Sequence, residues 1–419
     1  MSRKLKLLVI AAAIILLVLA ALYVGVMVPV GSAAAHTDLH PDAPPYSTHG
    51  PHSVGMRNLA TDGEAPLELT MWYPALNDTG HEIEMKYAYT MKMGDPFGPV
   101  TFATFAGHAI DKAPYGLTAG PYPLIILSPG FSIGATTYGW LAEHLASYGF
   151  VVIAPEHQEH LDAELDNLWQ ATITRPQDIL TVLAYVDEQV TGGTLAGLID
   201  ANTVAVIGHS YGGYTALAAG GAQIDSKSFG TECETAYQTD NPLVWLCDQV
   251  LPHLADMAAL AGLDSTPEGL WQQTWADPRI DAIVPMAGDA LFFGEDGLAE
   301  ITVPVMAIGG TRDNDSPYMW GTHPAYEFSS SPTKVRVALV DAEHMIFTGP
   351  CEAVPVLLRF VSNEFCSDPG WDRDYAHNLI NHFTTAFLLD TLKGDQSAHE
   401  ALLPDAVQFD GIEYATTLK

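Results

Sequence analysis

A chain of 419 residues carries 50 Asp and Glu against 17 Lys and Arg, a formal charge of -33, and 48% of it is hydrophobic. That apolar content suits a large buried core rather than a disordered chain, and the charge repels phosphate backbones and anionic membrane surfaces, which excludes nucleic acid as an expected partner. The acids are scattered rather than clustered as in a calcium loop, so they read as a solvated acidic surface.

Arg3, Lys4 and Lys6 precede an apolar run over 7–30, and small residues fill 31–35, with Ala33 and Ala35 where a signal peptidase prefers them. This pattern predicts an export signal over 1–35 and a periplasmic or extracellular body. The run is long enough to span a bilayer, so two outcomes stand: cleavage after Ala35, or an uncleaved signal anchor as the one membrane contact. Residues 36–53 read as a linker or an ordered arm, and 54–419 as one α/β domain.

Alternation over 67–73 predicts an antiparallel strand at the start of a sheet. Residues 77–120, rich in Gly, Pro and Thr, read as loops or a small excursion. The apolar run 124–127, bounded by Pro123 and by Ser128, Pro129 and Gly130, opens a parallel core. Tyr138, Leu141, Leu145 and Tyr148 share a helical face that Gly149 ends, and 150–154 is the next buried strand. Ile179, Val182, Leu183, Val186 and Val190 predict a helix opened by Pro176, followed by a strand over 203–207.

From 221 to 278 the alternation breaks. This insertion holds Trp245, Trp271 and Trp275 and reads equally as a helical cap over a site or a buttress on the flank. Strands return at 280–284, 303–308 and 335–340. Ala376, Leu379, Ile380, Phe383 and Phe387 predict a last helix with Gly394 just past its end. The alternation as a whole predicts a mostly parallel sheet with helices on both faces.

Cys233, Cys247, Cys351 and Cys366 form two sequence-local pairs. Of three connectivities, Cys233 with Cys247 and Cys351 with Cys366 are expected behind an export signal, each closing a loop worth about 3 kcal/mol in the chain-entropy model. Their spacing matches no zinc pattern.

Gly208, His209, Ser210, Tyr211, Gly212 and Gly213 fall between a predicted strand and a predicted helix. That is the context in which G-x-S-x-G makes a strained turn presenting a nucleophile. A serine needs a base and an acid to orient that base. His344 follows the 335–340 strand as the candidate base; His377 and His382 lie on the last helix, where a core or solvent-facing role is simpler. Asp313 follows the 303–308 strand as the preferred acid, with Asp315 as its competitor. The amides of Tyr211 and Phe131 are the candidate oxyanion donors. Glu156, His157, Glu159 and His160 read as a loop hydrogen-bond network before a metal site, so no metal is expected. Trp140, Phe292 and Phe293 are candidate lining for an acyl pocket, or equally core.

These residues resemble the α/β-hydrolase superfamily, and within it the platelet-activating factor acetylhydrolase and predicted dienelactone hydrolase group. The resemblance rests on Trp72, Tyr73, Pro74 and Ala75; on Ser128, Pro129, Gly130 and Phe131, where acetylhydrolases have a His-Gly loop; on Tyr148, Gly149, Phe150, Val151 and Val152; on Glu156 and His157; and on 208–213. It implies an α/β-hydrolase fold, Ser210 as nucleophile, Asp313 as acid, His344 as base, and Phe131 with Tyr211 as oxyanion donors.

Two departures stand out. Pro129 replaces the usual histidine, which makes the loop similar to that of bacterial cutinases and polyester hydrolases, and the cysteine-bearing insertion has no family role to carry over. The expected activity is serine carboxylic-ester hydrolysis on short-acyl esters or platelet-activating-factor-like lipids, with no cofactor. The alternatives are a cutinase-like polyester hydrolase and a non-catalytic surface binding protein that keeps the fold.

Overall fold

The computed structural model describes residues 32–33, 43–63, 65–77, 85–92, 99–158, 167–239, 241, 243–272, 274–349, 368 and 370–419. The expected leader, apart from residues 32–33, lies outside them, as do Cys351, Cys366, Glu159 and His160. Among the described residues no helix is long and apolar enough to cross a membrane.

Strands β1 (Ser53–Ala60) and β2 (Glu68–Ala75) pair antiparallel, and β3 (Met85–Lys92) with β4 (Pro99–Gly107) forms a hairpin outside the main sheet. Next come β5 (Tyr122–Ser128), α1 (Gly139–Ser147), β6 (Val151–Pro155), α2 (Leu168–Gly192), β7 (Ile199–His209) and α3 (Tyr211–Ala219). The insertion supplies α4 (Ser226–Thr239), α5 (Val244–Val250) and α6 (Leu254–Leu260). Then follow β8 (Ile280–Met286), α7 (Gly294–Leu298), β9 (Val305–Gly310), α8 (Thr322–Phe328), β10 (Lys334–Leu339), α9 (Arg373–Lys393), α10 (Gln396–Ala401) and β11 (Ile412–Thr416).

The main sheet runs β11-β10-β9-β8-β7-β5-β6-β2-β1, with the short strand Ile110–Asp111 beyond β1. From β10 across to β6 every neighbouring pair is parallel, and the antiparallel strands stand at the two sides. The central strands are apolar without alternation because both faces are covered. Leu124 and Ile126 enter one core with α2 and α3, while Ile125 and Leu127 enter the other with α1 and α9. The expected sheet with helices on both faces is what the chain forms. A parallel sheet of this kind gathers its functional loops at the carboxyl ends of the strands.

Helix α2 corrects one expectation, since it starts at Leu168 and contains Pro176 instead of opening with it. Proline removes the amide that would bond the carbonyl four residues back. The Thr172 carbonyl receives the Tyr214 hydroxyl instead, at 2.8 Å. The helix therefore passes through the proline with its backbone satisfied.

The 77–120 stretch is more ordered than expected of loops. Its hairpin is tied to the body through Tyr87, which donates to the buried Glu143 of α1 and accepts from Trp72 Nε1 at 2.8 Å. Strands β1 and β11 also escaped the sequence reading. The segment before β1 docks on the body, where the Tyr46 carbonyl accepts from Nε2 of His144 on α1 at 2.8 Å. In the insertion, Cys233 and Cys247 are joined, linking α4 to α5. Helices α5 and α6 pack along α2, and Trp271 and Trp275 are buried in the same core. Gly394 closes α9 in the left-handed conformation, φ 64 and ψ 32.

Candidate active site

The strand β7 delivers its chain straight into the turn at Ser210, whose φ of 58 and ψ of -124 are unfavourable for a residue with a side chain. The turn holds because its neighbours are glycines. A Cβ on Gly212 would lie 2.0 Å from the Ser128 carbonyl oxygen, and one on Gly208 would lie 2.3 Å from the Gly212 carbonyl oxygen. The elbow therefore presses directly on the end of β5. Ser210 N donates to the Met286 carbonyl at 2.9 Å, which fixes the turn to β8.

The structure brings three predicted side chains together. His344 Nε2 lies 2.8 Å from Ser210 Oγ, and His344 Nδ1 lies 2.7 Å from Asp313 Oδ2. A carboxylate only accepts, so in the neutral ring Nδ1 carries the proton and Nε2 is left to accept from the serine. Asp313 Oδ1 receives the amides of Asp315 at 2.9 Å and Ser316 at 2.8 Å. That separates the two candidate acids: Asp313 is 5% exposed and faces the histidine, while Asp315 is an exposed turn residue. Burial pulls His344 down, but the Asp313 charge and hydrogen bond, with Asp315 and Asp289 adding, hold it up to about 9. Asp289, just past β8, is itself pushed up to about 7, first by burial.

The loop bearing His344 is anchored carbonyl by carbonyl. His209 Nε2 donates to His344 O at 3.0 Å, Arg373 to Met345 O at 2.7 Å and His377 Nε2 to Ile346 O at 3.1 Å. His209 must hold its proton on Nε2, so Nδ1 accepts from the Tyr138 hydroxyl at 2.9 Å, and that hydroxyl accepts from Gly130 N at 3.1 Å. Burial keeps His209 neutral, well below its ordinary value. One network thus joins the 128–131 loop to the His344 loop. The backbone of Tyr211 opens α3, and its ring meets that of Phe131 edge-on at 6.0 Å.

The sequence reading missed His209, Tyr138 and Arg175, because each works through contacts between elements far apart in the chain. His209 was visible only as an unspecified position of G-x-S-x-G. His377 and His382 are both buried, His377 stacked on Trp140 at 3.8 Å. Phe292 and Phe293 are 1% and 0% exposed and pack on Tyr214 and Phe229, as the core reading of these residues expects. Glu156 accepts from Ala135 N, and His157 joins Ser128 to Asp178. Among the described residues no group of three or more His, Cys, Asp or Glu could hold a metal.

A strained serine after β7, an aspartate after β9 and a histidine after β10 of this sheet stand as they do in the α/β-hydrolase fold. A family model described as chlorophyllase matches residues 113–229, a span that includes β5, β6, α2, β7 and α3. Bis(hydroxyethyl) terephthalate hydrolase of Streptomyces coelicolor is 27% identical over 152 residues, 36% of this chain and 42% of that protein. Cutinase est1 of Thermobifida alba is 32% identical over 107 residues, 26% and 33% of the two chains. Chlorophyllase-1 of Citrus unshiu is 22% identical over 325 residues, 70% and 81%. The first two matches thus span less than half of those relatives' lengths. Fold and matches together place the chain in the α/β-hydrolase superfamily.

Proposed function

We propose that this protein is a serine carboxylic-ester hydrolase working through Ser210, His344 and Asp313. His344 takes the Ser210 proton as the oxygen attacks the ester carbonyl, while Asp313 holds the imidazole tautomer and steadies its positive charge. The amides of Tyr211 and Phe131 receive the negative charge that develops on the carbonyl oxygen. The protonated His344 then gives its proton to the departing alcohol. Water, activated by the same histidine, releases the acid from the acyl-enzyme. The observation that carries this reading is the unbroken relay at 2.8 and 2.7 Å, beginning at a serine in a strained turn.

The test is hydrolysis of p-nitrophenyl butyrate by the wild type and by Ser210→Ala. Loss of turnover with the fold intact is expected. Retained turnover overturns the mechanism, and wild-type Ser210 that a fluorophosphonate fails to label favours a non-catalytic binding role.

The proposed substrates are short-acyl esters or lipids of the platelet-activating-factor kind. The loop of Ser128, Pro129, Gly130 and Phe131, together with relatives named for cutinase and for a terephthalate diester, favours a second reading, a cutinase-like polyester hydrolase. Release of product from an insoluble polyester film, set beside hydrolysis of soluble esters of graded acyl length, separates the two. Export by the 1–35 segment belongs to the same proposal.

A further inference from the structure

A second serine-histidine-aspartate relay lies behind the first. Ser128 Oγ is 2.8 Å from His157 Nε2, and His157 Nδ1 is 2.7 Å from Asp178 Oδ2 on α2. Ser128 is 0% exposed and His157 2%, so no substrate reaches that hydroxyl. What the relay does touch is backbone. Ser128 ends β5, and the next residues make the loop that leads to Phe131.

Three residues before Asp178, the same helix places Arg175, 1% exposed, against that loop. Its guanidinium donates to Pro129 O at 2.7 Å and to Gly130 O at 3.1 Å. Residues 128, 129 and 130 are thus tied one after another to α2, the first through His157 and the next two directly. On the other side Gly130 N donates to the Tyr138 hydroxyl.

The tie at Gly130 is the decisive one. The carbonyl of Gly130 and the amide of Phe131 belong to one planar peptide unit and point in opposite directions. Fixing the oxygen with a cation on one side therefore aims the Phe131 N–H to the other side. The same charge polarises the unit, which makes that N–H a stronger donor. Arg175 also lies 5.7 Å from the ring centroid of Tyr211, the residue supplying the other proposed donor.

We propose that Arg175, with the Ser128-His157-Asp178 relay behind it, is a positioning device that orients and polarises the Phe131 amide as an oxyanion donor. This rests on the esterase reading above. A group that acts only on the developing oxyanion lowers kcat and leaves KM, while a group that only supports the fold lowers the number of competent sites.

The experiment measures kcat and KM with p-nitrophenyl butyrate in Arg175→Ala, Arg175→Lys, Ser128→Ala and His157→Gln. Each rate is divided by the fraction of Ser210 that a fluorophosphonate labels at completion. Arg175→Ala is expected to lower kcat per labelled site about 100-fold, the scale of a lost oxyanion donor, with KM within about threefold and the pH midpoint unmoved. Arg175→Lys recovers part of the loss, and Ser128→Ala, which removes only a hydroxyl, gives a smaller loss of the same kind. Unchanged kcat per labelled site in both Arg175→Lys and Ser128→Ala overturns the proposal even where Arg175→Ala does not fold. Wild-type protein in which Ser210 is not labelled overturns the esterase reading and this one with it, whereas labelling with unchanged kcat overturns this one alone.

Discussion

The hydroxyl of Ser128 lies 2.8 Å from Nε2 of His157, the same separation that Ser210 keeps from Nε2 of His344. Each histidine in turn lies 2.7 Å from an aspartate, Asp178 in one relay and Asp313 in the other. Hydrogen-bond geometry alone does not say which serine attacks. Access does: Ser128 is sealed beneath the loop it begins, and Ser210 is only partly buried at the strand ends. A fluorophosphonate is therefore expected to modify the Ser210 peptide of the wild type, and to leave the Ser128 peptide bare both in the wild type and in Ser210→Ala. Mass mapping of the digested protein checks it, and any adduct on Ser128 contradicts the assignment.

The pH dependence of turnover follows from the carboxylates around His344. The base works only when neutral, so kcat/KM rises with pH through its pKa. Asp313, Asp315 and Asp289 favour the charged imidazole and hold that pKa up to about 9. The acid limb is accordingly expected on the alkaline side of the usual histidine range. Asp289→Asn removes one of these charges without touching the relay. It should move the limb to lower pH and raise activity at pH 7 by about threefold for each half-unit of movement. A kcat/KM profile of the two proteins decides, and superimposable limbs would show that Asp289 does not act on the base.

The elbow was readable from sequence because its cause is local. Gly208 and Gly212 stand where any Cβ would strike backbone, and the apolar run before them announces a strand. His344 and Asp313 were readable because each follows an apolar run at its strand end. The choice between Asp313 and Asp315 was a preference only, since both sit on one short turn. It takes the amides of 315 and 316, folded back onto Asp313 Oδ1, to orient the inner carboxylate. Arg175 and Tyr138 carried no local sign at all, as each matters only because a helix or loop packs on the 128–131 loop. Pro176 misled for a related reason, because the hydroxyl that rescues its helix lies 42 positions from Thr172.

The docking of the N-terminal arm predicts acid sensitivity. His144 donates to the Tyr46 carbonyl and is lowered to about 3, first by burial and then by His49; His382, packed on the Tyr46 ring, is lowered to about 4 by burial. Unfolded histidines bind protons near 6.5, so below that pH the unfolded chain binds more protons than the folded one. Stability present above 6.5 is therefore lost as pH falls toward the folded values, by up to about 1.4 kcal/mol per pH unit for each histidine. Tm measured from pH 7 to pH 5 should fall. His144→Gln keeps a donor for Tyr46 but cannot take up a proton, so it should flatten the fall. An unchanged slope would remove His144 from the account.

The Thr172 carbonyl gives the sharpest test of how α2 carries its proline. Pro176 offers it no amide, and the Tyr214 hydroxyl supplies the missing donor at 2.8 Å between residues that are both 0% exposed. Tyr214→Phe removes the hydroxyl and strands a buried acceptor, at a cost of about 1–3 kcal/mol. Pro176→Ala in the same background returns a backbone N–H four residues on, where the helix would place it against Thr172. The double variant is therefore expected to recover most of the loss, with a clear coupling between the two positions in a double-mutant cycle of unfolding free energies. If the two changes merely add, the hydroxyl is not standing in for the proline's missing amide, and the continuity of α2 through Pro176 needs another cause.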